Sequence, residues 1–205
     1  IIGVCCETSS GMVNDIAMLN RICEARGIWF ALDAVSALGV ESGFCSCPAL
    51  AMATGSSGKA LAGVPGIAIL LLNPRFPRSV SEVQPKILQL EPLLSAREMP
   101  GMVRNTMSSL LLAALEASCR SILELGQDHY RRRLLALKDA VRLCLADFGV
   151  KALAGSDSPI VTAFHRPEPE VWRSWLRSLD EKGVEIYHRV CYLEQRNLFE
   201  IATMG

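Results

Sequence analysis

The sequence predicts an α/β fold with a mostly parallel sheet, and two observations support that prediction. Short apolar runs, which are typical of buried strands, alternate with longer segments whose apolar residues recur at helical spacing. The first three segments follow the order strand, helix, strand, and such a helical crossover is the usual connection between parallel strands. Half of the 205 residues are hydrophobic, so the chain can build a sizeable core.

Apolar runs in the first half of the chain predict four strands, at 1–6, 28–32, 50–54 and 66–72. Between the first two strands, a helix is expected to begin at Asn14 or Asp15 and to end at Gly27. The second strand delivers Asp33 at its carboxyl end. The proline-rich residues 73–103 lack a clear period and predict a long irregular excursion over the surface.

The second half of the chain begins with a long helical pattern from 106 to 148. Thr106 or Ser108 is expected to cap this pattern, and a break near Gly126 divides it into two helices. A smaller α/β unit follows, with strands expected at 160–164, 184–187 and 198–203 and a helix at 169–182.

Composition excludes several classes of function. Lys and Arg together number 21, as do Asp and Glu, so the zero net charge provides no overall basic field for nucleic acid. The longest apolar runs, 67–72 and 110–115, are far shorter than the roughly 20 residues of a membrane span. No secretory signal is recognisable. The chain begins with Ile1, which favours a processed chain or a piece of a longer protein.

The eight cysteines are expected to be reduced and mostly buried, because the chain is large and most of them lie in apolar patterns. Cys45 and Cys47 form a CxC pair, but no second ligand pair follows at zinc spacing, so no metal site is predicted. Reduced thiols favour a reducing compartment, either the cytoplasm or an organelle matrix.

Three polar residues, Thr8, Asp33 and Lys59, lie at or just beyond the carboxyl ends of predicted strands. In an open parallel sheet, ligands bind at that edge. A lysine in a Gly/Ser loop beside a buried strand is a candidate amine nucleophile. An equally simple interpretation is structural, with Asp33 capping the next turn and Lys59 exposed to solvent. Spacing alone leaves both interpretations open.

The strings around these residues carry a family resemblance. They are ETSSG at 7–11, LDAVSALG at 32–39 and SSGKALAGVPG at 56–66. In this order and spacing they resemble the class V aminotransferases, and a fainter likeness continues to FEIATMG at 199–205. The resemblance implies a partial pyridoxal-phosphate transferase fold of type I, without the N-terminal part of the family pattern. It divides the chain into a partial large, cofactor-binding domain at 1–105, linking helices at 106–149 and a small C-terminal α/β domain at 150–205.

The resemblance also implies a cofactor, pyridoxal 5'-phosphate, and roles for individual residues. Lys59 would bind the cofactor covalently and then carry the proton during catalysis. Asp33 would pair with the pyridinium nitrogen, and Thr8 would hydrogen-bond the ring oxygen. The other implied cofactor contacts are Val35 against a ring face, Ser57, and Thr106, which would reach the phosphate in a neighbouring subunit.

The activity implied is transfer of an amino group from a small amino acid or 2-aminoethylphosphonate to a small 2-oxo acid such as pyruvate. The partners would be these small molecules and a second subunit, in a homodimer or with a related chain, without nucleic acid or membrane. Two positions depart from the family pattern. Gly58 stands where a phosphate-binding amide is usual, and Glu200 stands where a substrate-binding arginine is usual. The alternative function is therefore a degenerate or truncated relative that acts as a structural or regulatory subunit without catalysis.

Overall fold

The computed structural model describes residues 1–41, 43–77 and 107–204. The described residues form eight strands, β1 (Ile2–Val4), β2 (Cys6–Glu7), β3 (Met12–Val13), β4 (Phe30–Asp33), β5 (Leu50–Ser56), β6 (Ala68–Leu72), β7 (Val161–His165) and β8 (Leu198–Ala202). They also form the α-helices α1 (Ile16–Ala25), α2 (Ser109–Leu125), α3 (Gln127–Ala146), α4 (Pro169–Glu181) and α5 (Cys191–Gln195). The irregular excursion predicted at 73–103 lies mostly outside the described residues.

The main sheet has the strand order β1-β4-β5-β6. Strands β1, β4 and β5 are parallel, whereas β6 runs antiparallel to β5. The sheet is therefore mostly parallel, as predicted. Asp33 is the Cα partner of both Val4 and Thr54, so the carboxyl ends of three strands meet at one edge.

The first apolar run does not continue as one strand, and the prediction of a single strand at 1–6 is wrong. Strand β1 ends at Val4, and the next residues form a separate hairpin of β2 and β3. The polar turn between β2 and β3 explains this, because the Glu7 carboxylate accepts hydrogen bonds from the backbone N–H of Ser9 at 3.1 Å and from its hydroxyl at 2.8 Å.

Helix α1 begins where the sequence predicts a cap, and the structure distinguishes between the two candidates. Asp15 is the cap, because its side chain accepts a hydrogen bond from the backbone N–H of Met18 at 2.8 Å. Asn14 instead donates its side-chain N–H to the carbonyl of Val4 at 2.8 Å, which fastens the hairpin to the end of β1.

Helices α2 and α3 pack against the sheet. The Ser108 side chain caps α2, and Gly126, with a φ of 85°, divides α2 from α3 at the predicted break. Ile122 of α2 and Tyr130 and Leu134 of α3 are buried in the same core as the sheet strands. The helices therefore help to stabilise the strands that carry the candidate site.

A second core lies between the β7–β8 pair and α4. Its buried members are Val150, Phe164, Trp172 and Phe199. The strand expected at 184–187 is wrong, because among these residues only Tyr187 makes a β-bridge, which pairs it with Glu200. The side chain of Val184 is exposed, so the start of this segment is not covered by the second core.

All eight thiols are free, but their burial differs from the expectation. Cys5, Cys6 and Cys23 are buried; the exposed members are Cys45, Cys144 and Cys191. Within the described ranges, no cluster of three or more histidine, cysteine or acidic side chains is arranged to hold a metal ion. The helices of the same ranges include none long and apolar enough to cross a membrane.

Candidate cofactor site

Asp33 is the last residue of β4 and lies at the shared carboxyl edge of the parallel strands. Its side chain is exposed, and one carboxylate oxygen accepts hydrogen bonds from the backbone N–H of Val35 at 2.9 Å and from the Thr54 hydroxyl at 3.4 Å. This oxygen therefore caps the turn after β4, as the structural interpretation of Asp33 predicts. The other oxygen has no hydrogen-bond donor among the described residues, so it is available to a ligand.

Lys59 lies in the turn that follows β5, the strand beside β4. Its side chain is half-buried and makes no ion pair with the described residues. Two helices hold the backbone of this turn, because Tyr130 donates its hydroxyl to the carbonyl of Ala60 at 3.1 Å and Ser118 donates its hydroxyl to the carbonyl of Leu61. The lysine is thus anchored at the backbone while its amine stays unpaired among these residues.

Ser57 stabilises the lysine turn from inside. Its side chain is fully buried, and its hydroxyl donates to the carbonyl of Val64 at 2.7 Å and accepts from the backbone N–H of Ile67 at 3.1 Å. Both hydrogen bonds are internal to the loop. The structure therefore gives this hydroxyl a positioning role and does not present it to a phosphate.

Gly58 has a steric reason to be glycine. A Cβ placed on this residue would lie 2.6 to 2.8 Å from atoms of Pro65, closer than Cβ atoms approach their neighbours. The close packing of the loop therefore excludes the side-chain amide that the family resemblance predicts at this position. Any phosphate ligand supplied by Gly58 has to be its backbone N–H.

Thr8 is half-buried in the turn between β2 and β3, and this turn is fastened to the segment that leads into β7. Ser158 donates its backbone N–H to the carbonyl of Gly11 at 2.8 Å, and Cys6 donates its thiol to the Ser158 hydroxyl at 3.3 Å. Gly11 has a φ of 70°, and a Cβ there would collide with the Ser156 side chain. The turn that carries Thr8 therefore lies beside the β7–β8 pair.

Glu200 is central to the electrostatics of this region. It is only 5 % exposed, and its Oε1 has no hydrogen-bond partner among the described residues. Burial, together with the negative charge of Glu7, raises the pKa of the Glu200 carboxyl to about 7, while the positive charge of Lys59 lowers it. These effects on the pKa indicate that the Glu200 carboxyl lies near Lys59 and near the turn that carries Thr8.

Tyr192 of α5 joins this group, although nothing in the sequence pattern singled it out. Burial, the charge of Glu200 and contacts with Tyr187 raise the pKa of the Tyr192 hydroxyl to about 12. The short helix α5 was not predicted from the sequence either. Only the folded chain brings this phenol to the same region as Glu200.

Asp33 and Lys59 follow the ends of adjacent strands at the edge of the main sheet, and Val35 is half-buried in the turn after Asp33. Thr8 does not follow a strand of that sheet, as the sequence predicted, because it lies in the turn of the separate β2–β3 hairpin. An amine for the aldehyde and a carboxylate for the ring nitrogen are what the ring of pyridoxal phosphate needs, so these residues fit that part of the cofactor. Thr106, the predicted phosphate contact, lies outside the described residues.

Comparison with curated proteins finds 2-aminoethylphosphonate–pyruvate transaminases. The one from Paraburkholderia phymatum is 25% identical over 207 residues, and one from Pseudomonas aeruginosa is 26% identical over 209 residues. The alignments cover 97% and 98% of this chain and 55% of each relative, so the chain spans about half the length of these relatives. No family model matches the chain.

Solved structures show the same fold. Alanine–glyoxylate aminotransferase from Nostoc sp. matches with a TM-score of 0.87 at 21% identity, over all of this chain and 56% of its own. Pyridoxamine–pyruvate aminotransferase from Mesorhizobium loti matches with a TM-score of 0.79 at 22% identity, over all of this chain and 54% of its own. These comparisons confirm the resemblance to aminotransferases and the partial transferase fold.

Proposed function

We propose that this chain is the cofactor-binding part of a pyridoxal-phosphate-dependent transaminase, which moves an amino group from a small amine or amino acid to a small 2-oxo acid such as pyruvate. One observation carries the proposal. The Lys59 amine and the Asp33 carboxylate follow adjacent parallel strands at one sheet edge, in a chain whose relatives are named as transaminases. The curated relatives suggest 2-aminoethylphosphonate and pyruvate as the first substrates to try.

Each site residue then has a distinct chemical task. When bound, pyridoxal phosphate supplies the electron-accepting ring that stabilises negative charge on the substrate carbon. Asp33 would hold the proton on the ring nitrogen through its free carboxylate oxygen, and Lys59 Nζ would hold the cofactor at its aldehyde and would carry the proton released from the substrate carbon. Thr8 would donate to the ring oxygen, while Val35 would cover one ring face.

The domain division belongs to the same proposal, with 1–105 as the partial large domain, 106–149 as linking helices and 150–205 as the small domain. We also propose a homodimer or a pairing with a related subunit, in which Thr106 completes the neighbouring phosphate site. The free thiols favour a reducing compartment for this assembly.

A second candidate function is a structural or regulatory subunit without catalysis. The observation that favours it is Glu200, because a buried carboxyl repels the carboxylate or phosphonate that a transaminase substrate usually presents. Gly58 does not add to this case, since its packing against Pro65 accounts for the glycine.

Covalent trapping of the cofactor separates the two candidates. The protein is mixed with pyridoxal phosphate, reduced with borohydride and digested, and peptides are searched by mass spectrometry for a pyridoxyl group. We expect the group on Lys59 and its loss in Lys59→Ala. Lys182→Ala, which alters an exposed lysine after α4, should keep the adduct and serves as the matched control. A folded protein whose Lys59 stays unmodified would contradict the transaminase proposal and leave the structural subunit.

A further inference from the structure

Glu200 points away from the core of its own strand pair. Successive side chains of β8 alternate between two faces, and Phe199 and Ile201 pack in the core with Trp172. Glu200 therefore lies on the opposite face, together with its Cα partner Ala163. The charges of Glu7 and Lys59 act on the Glu200 carboxyl, so both residues lie near it.

The Glu200 carboxyl lacks the partners that a buried charged group normally has. Its Oε1 is buried without a hydrogen-bond donor, although buried carboxylates are usually paired or hydrogen-bonded. Its backbone N–H, by contrast, is satisfied by the carbonyl of Tyr187 at 2.9 Å. The strand is thus well ordered, and the missing partner is specifically one for the side chain.

Neighbouring basic groups of the described chain do not supply that partner. Arg166 directly follows β7, and its guanidinium donates to the carbonyl of Leu198 at 2.8 Å and of His188 at 2.7 Å while it covers the Trp172 ring. Lys59 is the cation whose charge does act on Glu200, and the proposed function assigns its amine to the cofactor. With Lys59 so used, Glu7 and Glu200 leave this region with an excess of negative charge.

We propose that Glu200 is the substrate-recognition residue of this site, and that it selects amines carrying a second, protonated amino group. This inference rests on the proposed function, because it places the reacting amine of the same substrate at the cofactor. An ammonium group offers three N–H donors and one positive charge, which suits an unpartnered carboxylate beside a second carboxylate. A carboxylate or phosphonate at the same place would meet two like charges and gain no donor.

The proposal predicts a specific pH dependence. The charged groups that act on Glu200 are Glu7 from β2 and Lys59 from the turn after β5, and the charge of Glu200 in turn raises the pKa of Tyr192 from α5. Aliphatic ammonium groups stay protonated well above neutral pH, whereas the pKa of the Glu200 carboxyl is about 7, so Glu200 gains negative charge between pH 6 and pH 8. The second amino group should therefore increase the affinity of the diamine for the protein more at pH 8 than at pH 6.

The test compares 1,4-diaminobutane with 1-aminobutane, which differ only in the second amino group. Affinities are measured by absorbance titration of the cofactor-loaded protein and by calorimetry of the cofactor-free protein, at pH 6 and pH 8. At pH 8 we expect the diamine to bind about tenfold or more tightly than the monoamine, which corresponds to about 1.4 kcal/mol. The ratio of the affinity for the diamine to that for the monoamine should be smaller at pH 6. Glu200→Gln should reduce this ratio to about one at both pH values. Glu185→Gln, an exposed glutamate before Tyr187, should leave it unchanged.

Two results would overturn the inference, and neither depends on turnover. One is equal affinity for the diamine and the monoamine at pH 8; the other is tighter binding of 2-aminoethylphosphonate than of the diamine. Failure of the proposed function is recognised separately, because it removes the borohydride-trapped adduct at Lys59. An adduct at Lys59 without diamine preference therefore rejects the role of Glu200 while it keeps the transaminase.

Discussion

Replacing Glu200 by glutamine should change the free energy of unfolding more favourably at high pH than at low pH. The pKa of the Glu200 carboxyl rises from its ordinary 4.5 to about 7 on folding, chiefly because burial disfavours the charged form. Between these two values the folded protein binds a proton that the unfolded chain does not bind. The stability of the native protein therefore falls as the pH rises through this interval, and the loss is complete above the folded pKa.

The size of this effect follows from the same two values. A rise in pKa from 4.5 to about 7 corresponds to roughly 3 kcal/mol of unfolding free energy lost between about pH 4 and pH 8. Glutamine has a similar shape and does not titrate, so the variant escapes this loss. Its amide is also buried without an assured partner, which costs roughly 1–3 kcal/mol at every pH. The change in unfolding free energy caused by Glu200→Gln should therefore be roughly 2–3 kcal/mol more favourable at pH 8 than at pH 5.

Urea unfolding of both proteins at pH 5 and pH 8 measures how the effect of Glu200→Gln depends on pH. The quantity to compare is the change in unfolding free energy caused by Glu200→Gln at the two pH values, so that the other titrating groups cancel. Glu185→Gln is the control, because Glu185 is exposed and no comparable pH dependence is expected from it. An effect of Glu200→Gln that is equal at pH 5 and pH 8 would refute the reasoning, since it would mean that burial does not perturb this carboxyl.

Two further predictions concern the loop that carries Lys59. Gly58→Ala should lower the free energy of unfolding by roughly 1–3 kcal/mol, because the new methyl group overlaps Pro65. Gly43→Ala, which meets nothing within 4 Å, is the control, and equal costs for the two changes would contradict the steric argument. Ser57→Ala should cost roughly 1–3 kcal/mol by leaving the buried backbone N–H of Ile67 without its acceptor. It should also weaken borohydride trapping at Lys59; an unchanged adduct yield would show that the loop keeps its geometry without this hydroxyl.

Much of the fold was predictable because burial leaves a direct mark on the sequence. Strands β4 and β5 lie within one or two residues of their apolar runs, since a strand covered on both faces has to be apolar throughout. The direction of β6 was not predictable, because an apolar run reads the same whether the strand is parallel or antiparallel. The hairpin of β2 and β3 was missed for a related reason, since Cys5 and Cys6 are buried and continue the apolar run beyond the end of β1.

The candidate site was also only partly predictable from the sequence. Asp33 and Lys59 could be predicted from their positions after strands, because parallel strands bring their carboxyl ends to one edge. The grouping of Glu200 with Glu7 and Tyr192 depends on how the β7–β8 pair packs against the hairpin and on a five-residue helix that has no clear sequence signal. Contacts of this kind join residues far apart in the chain and follow only from the folded structure.

The two departures from the family pattern carry different weight once the packing is known. Gly58 is required by its contact with Pro65, so its missing side chain says little about whether the protein binds a cofactor. No comparable packing reason explains Glu200, because a buried carboxyl with an unpartnered oxygen costs stability that an apolar residue in β8 would not. A cost of this kind is typical of residues kept for binding. Under the proposed function, Glu200 is therefore the position at which the substrate should differ from the 2-aminoethylphosphonate named for the relatives.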